Sequence, residues 1–157
     1  MRSVLGGVRR VARASIWARG SVSAEDARLS RLLRRTLPEF YIAMWAFGSL
    51  GVLGGVPALR QTFGQDYAIG LSFALAAASL ACFAGIVLPA RLSRFELYGA
   101  GALGGLLILY AIAVLIAGLT TGDLGRTAVA AAIYGMSTLP RWRVTDVARE
   151  RRVHGWK

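Results

Sequence analysis

Three apolar runs without a single charged residue leave this chain few ways to fold. They cover Tyr41–Leu59, Tyr67–Ala90 and Leu97–Leu119 and are 19, 24 and 23 residues long. A helix rises about 1.5 Å per residue, so roughly 20 residues cross the ~30 Å hydrocarbon layer of a bilayer. A helix on the surface of a water-soluble domain would interleave charges every three or four positions. These runs have no such wet face, so lipid or other helices must surround them. The pattern predicts an all-α integral membrane protein.

A fourth run, Thr127–Leu139, has 13 residues, about 20 Å of helix, and is too short to cross alone. Extended from Leu124 to Trp142 it reaches 19 residues, with Arg126 snorkelling outward and Trp142 in the interface. A fourth span is preferred here to a re-entrant hairpin. The expected organisation is a basic N-terminal segment (1–36), a bundle of four transmembrane helices (37–142, spans near 38–59, 67–90, 96–119 and 124–142) and a basic tail (143–157).

Charge fixes the orientation. With four spans, the N-terminus, the Arg91–Glu96 loop and the tail share one side, which holds every lysine and arginine except Arg60 and Arg126, or 17 of 19. The positive-inside rule makes that side cytoplasmic. A three-span chain would leave six basic residues of the tail outside. The expected location is therefore the cytoplasmic membrane, with both termini inside.

No continuous apolar run follows the first arginines, so a cleaved secretory signal is not expected and the N-terminus is read as retained. Within it, Ser23-Ala24-Glu25-Asp26 has the form of a helix start. Beyond it, Leu29, Leu32, Leu33 and Leu37 share one face, with Arg28, Arg31, Arg34 and Arg35 around the rest. This predicts a basic amphipathic helix lying in the membrane interface, its four arginines touching anionic lipid headgroups.

Small residues recur four apart in each span: Gly51 and Gly55; Ala77, Ala81 and Gly85; Gly101 and Gly105. In lipid, helices associate through close backbone approach at such positions. They are expected to pack the bundle and, where left open, to join copies into a homo-oligomer. Glu39, Asp66, Glu96 and Asp123 all stand at span boundaries, whereas a solute pathway places ionisable groups or broken helices at mid-membrane. Glu96 begins the third span and Arg141 and Arg143 end the fourth, at one membrane level, so an interfacial ion pair from Glu96 to Arg141 or Arg143 is predicted.

Catalysis has little to work with. Cys82 and His154 are the only cysteine and histidine, too few for the usual metal site, and no phosphate-binding loop or His-Glu-x-x-His is present. No enzyme activity and no cofactor are expected. Nucleic-acid binding is not needed to explain the arginines, because membrane topology already does.

The entry to the third span, Arg94-Phe95-Glu96-Leu97-Tyr98-Gly99, and the exit of the fourth, Leu139-Pro140-Arg141-Trp142-Arg143, resemble small four-span membrane proteins of actinobacterial phages, some of them holin-like. The resemblance covers about the last 65 residues and leaves out the basic N-terminus. It implies a protein that oligomerises in the cytoplasmic membrane and permits host lysis. The reading from another class is a non-lytic adaptor whose arginine-rich cytoplasmic ends bind a protein partner or anionic lipid.

Overall fold

The computed structural model describes residues 35–154, and among them every element is a helix: α1 (Leu37–Gly54), α2 (Pro57–Phe63), α3 (Gln65–Val87), α4 (Pro89–Thr121), α5 (Leu124–Met136) and α6 (Thr138–His154). Most of the expected amphipathic helix, with Arg28, Arg31 and Arg34, falls on residues 1–34, outside the described region, while its last leucine, Leu37, opens α1.

Glycines end the helices where the sequence changes character. Gly55 closes α1 at φ +70°, its N–H donating to Gly51 O at 2.9 Å. Gly64 closes α2 at φ +90° and Gly122 closes α4 at φ +66°. Side chains other than glycine rarely take this left-handed backbone. At the last turn Asp123 accepts from Arg126 N at 3.2 Å and so caps α5.

α1 packs on α3, α3 on α4, and α4 on both α5 and α6. The α4 pairing is antiparallel along its length. A methyl group at Gly118 would stand 2.9 Å from Thr127 Oγ1, one at Gly104 3.1 Å from Arg141 Cγ, and one at Gly101 4.0 Å from Val144 Cγ2. α5 and α6 therefore lie end to end beside α4. The expected 124–142 span is interrupted between them at Ser137, and Pro140 explains the place. Proline has no N–H to offer the carbonyl four residues back, and its ring crowds that carbonyl. Ser137 instead shares its N–H between Ile133 O and Tyr134 O, at 3.2 and 3.1 Å.

Other boundaries differ from expectation as well. The expected first span (38–59) ends early, at Gly54, and α2 takes up its last residues, with Leu59 buried against the bundle, and the first residues of the link to the second span. The third span belongs to a helix that starts seven residues earlier than expected, at Pro89, with a kink at Leu92 (φ −116°, ψ 17°). The tail from Thr138 to His154 is helical.

Three stretches are long and apolar enough to cross a membrane, as a multi-pass membrane protein requires: α1, α3 and the Arg94–Thr121 part of α4. Their outer faces carry Leu50, Leu53, Phe73 and Leu119, each at least 66% exposed, a surface that fits lipid rather than water. Inward-facing Leu75, Cys82, Ile86, Leu103, Leu107 and Val114 form the core. Ser72 and Ser79 are buried within it because each hydroxyl donates to the carbonyl one turn back, at 2.7 Å.

The close helix contacts run over glycine. A methyl group at Gly48 would stand 2.6 Å from Ala76 N, one at Gly51 2.5 Å from Ser72 Oγ, and one at Gly85 2.3 Å from Glu96 Cβ. Gly105 has nothing within 4 Å. Gly85→Ala is expected to lower stability by about 1–3 kcal/mol, the usual range for overpacking. Gly105→Ala should not lower it. Thermal unfolding of the two variants in detergent compares them directly.

Candidate functional site

The bundle encloses a charged cluster. Glu96 stands one turn beyond the α4 kink, where the missing side chain of Gly85 lets the two backbones close together. Arg143 lies three residues beyond Pro140 on α6. Its Nε donates to Glu96 Oε1 at 2.6 Å, and its Nη1 donates to Asp146 Oδ2 one turn further along α6. The Arg143 and Glu96 side chains are 3% and 2% exposed. Both ends of the bridge are thus shut away from water and from lipid.

Tyr41 of α1 reaches towards the same place. Its hydroxyl is buried without a hydrogen-bond partner of normal geometry, and its electrostatic neighbours are Cys82, Glu96 and Arg143. Cys82 is buried and free. The close approach of α3 and α4 continues here, since a methyl group at Gly99 would stand 3.0 Å from Cys82 Sγ. Residues from α1, α3, α4 and α6 therefore meet around a guanidinium and two carboxylates.

Of the two expected partners of Glu96, the structure brings in Arg143. Arg141 is exposed, with its stem against Gly104 on another flank of α6. The bridge is also enclosed between helices rather than open to the membrane interface. Asp146 was not expected; its only sequence signal is the one-turn spacing from Arg143.

The expected packing residues divide. Gly51 and Gly85 lie at close helix contacts. Gly55 does not, because its positive φ makes it a helix terminator. Ala77, Gly101 and Gly105 are on exposed faces, and Ala81 is half-buried. The four-residue repeat missed the true α4 contacts, which fall at Gly99, Gly104 and Gly118. Arg35, expected to touch lipid headgroups, is exposed and donates to Glu39 Oε1 at 3.1 Å, a kind of contact that stabilises little.

Among the described residues no three His, Cys, Asp or Glu side chains converge as metal ligands. The arrangement holds two helices together. Taking two ions out of water is costly, and removing one partner strands the other. Glu96→Gln or Arg143→Met should therefore cost about 3–5 kcal/mol. The double variant Glu96→Leu with Arg143→Met should lose less than the two single losses combined, in denaturant or thermal titration. Equal stability of Glu96→Gln and the parent would sink this account.

Searches of protein-family models, curated proteins and solved structures returned no match to this chain.

Proposed function

We propose that the chain is a four-span protein of the cytoplasmic membrane, with both termini inside, that works as a non-lytic anchor presenting a rigid basic helix to a cytoplasmic partner. Leu124–Trp142 supplies the fourth span despite the break at Ser137, since α5 and the start of α6 follow α4 antiparallel. The distribution of arginine supports this orientation.

The observation that carries the anchor reading is the buried Glu96–Arg143–Asp146 network. It fastens α6, a polar helix of 17 residues, to the membrane-embedded α4. At 33 residues, α4 is about 50 Å long, well beyond the ~30 Å hydrocarbon layer. Its first turns and α6 can therefore leave the membrane together as one body. Such a projection is useful for holding a partner in place, and an acidic protein surface is the partner chemistry the arginines favour.

A holin-like role is the second reading. The observation in its favour is the open face at Gly101 and Gly105, where another helix could approach closely. It requires copies to assemble and then to open a lesion.

Controlled expression in a bacterial host separates the two, with membrane potential and cell density followed over time. The anchor reading expects cells to hold their potential while the protein accumulates in the inner membrane. Abrupt collapse after a fixed delay, with lysis by a co-expressed endolysin, would replace it with the holin-like one.

A further inference from the structure

α6 is held to the bundle by little besides its buried ion pair. Among its described side chains Pro140, Arg143 and Val147 are buried, whereas Arg141, Trp142, Thr145 and Arg149 are exposed. Its main neighbour is α4. The junction with α5 is weak as well. Pro140 has no N–H to give the carbonyl four residues back, and the Arg141 N–H reaches Ser137 O at 3.4 Å, a long hydrogen bond. A polar helix fastened at one buried point can turn at Ser137 once that point gives way.

Glu96 is the group that such a movement would strand. It is 1% exposed, and a buried carboxylate that loses its counter-charge is costly unless another donor takes its place. A donor stands ready. Tyr41 of α1 is fully buried, its hydroxyl has no hydrogen-bond partner, and Glu96 is among its electrostatic neighbours. Burying a hydroxyl without a partner is itself unfavourable, and such a group calls for an explanation. Cys82 of α3, also beside Tyr41, is a weak partner for a phenol. With α6 docked, Arg143 holds the carboxylate and the Tyr41 hydroxyl goes unbonded. With α6 away, the phenol O–H can donate to the carboxylate, and each gives the other a partner. Arg143 is not stranded either, because Asp146 travels with it on α6.

We propose that α6 has a second, released position, reached by turning about Ser137, in which Tyr41 takes over Glu96 from Arg143. The docked position is favoured, because a guanidinium holds a carboxylate more strongly than a phenol does. The Tyr41–Glu96 bond offsets part of the loss, so release is an excursion of one helix rather than unfolding of the bundle. Tyr41 is a positioning residue for the released state and idle in the docked one. The inference concerns the same helix as the anchor reading but needs no partner, so either stands if the other fails.

Hydrogen exchange read by mass spectrometry tests this on the full chain in lipid nanodiscs. A free helix of 17 residues is marginal in water, so the α6 amides exchange whenever the helix is released. In the parent they should exchange faster than those of residues 101–115 in α4. Tyr41→Phe should slow the α6 amides about ten-fold, the weight of a hydrogen bond to a charged group, whereas loss of a hydroxyl that supported the docked state would speed them. Glu96→Gln should speed them by weakening the attachment. In the double variant Glu96→Leu with Arg143→Met there is no carboxylate to take over, and adding Tyr41→Phe should change nothing. Thermal unfolding in the same nanodiscs shows that each variant is folded; if the double variant is not, Tyr41→Phe in the parent decides alone. Exchange of α6 in step with α4, no slowing in Tyr41→Phe, or equal slowing in both backgrounds would overturn the released position.

Discussion

Glu96 and Arg143 are tied to each other because neither can be left alone between apolar helices. Lipid offers no hydrogen bonds, and an unpaired charge beside it is expensive. Much of the local geometry follows from the need to bring these two groups together. Gly85 removes the side chain that would hold α4 off α3, and Gly99 does the same beside Cys82. Pro140 breaks the last helix just before Arg143, and Asp146 takes the remaining side of the guanidinium. A bridge with this much support is a point of attachment, and it joins a polar helix to an apolar one.

The two ends of the bundle are built differently. At one end α2 covers the helices with Leu59 buried, while its neighbour Arg60 stays exposed. The connections there are short and turn on glycines with positive φ. At the other end α4 and α6 run on together, and their exposed positions include Arg94, Arg141, Trp142 and Arg149. An aromatic ring among arginines suits the boundary between headgroups and water. The chemistry of the bundle is concentrated at this second end.

Absence of charge was the most legible signal, because no other environment suits such long uninterrupted apolar runs. The membrane-crossing character of α1, α3 and α4 was therefore readable from the sequence. So were the positions of Glu96 and the arginines beyond Pro140, since antiparallel neighbours of equal length put the start of one beside the end of the other. Choosing Arg143 over Arg141 was not possible, because they lie two residues apart and the answer depends on how α6 rotates against α4. The glycines mislead for a related reason. Four-residue spacing identifies a face, and Gly101 and Gly105 do share one, but spacing does not say which face a neighbour occupies. Gly55 resembles a packing residue until its backbone angle shows that it ends a helix. Leu59 follows Pro57 in a stretch too short for periodicity to register.

The bridge spans 47 positions of the chain, and this sets an order of events during synthesis. α3 and α4 meet their neighbours almost as they emerge, since each packs on the apolar helix before it. Glu96 has no such luck. At roughly 5–20 residues per second, a few seconds pass between the making of Glu96 and the making of Arg143. During that interval the nascent α4 carries Glu96 without its contact to Arg143. Closure of the bundle at Glu96 is thus coupled to the synthesis of α6, and a chain truncated before Arg143 would lack the bridge that fastens α6 to α4.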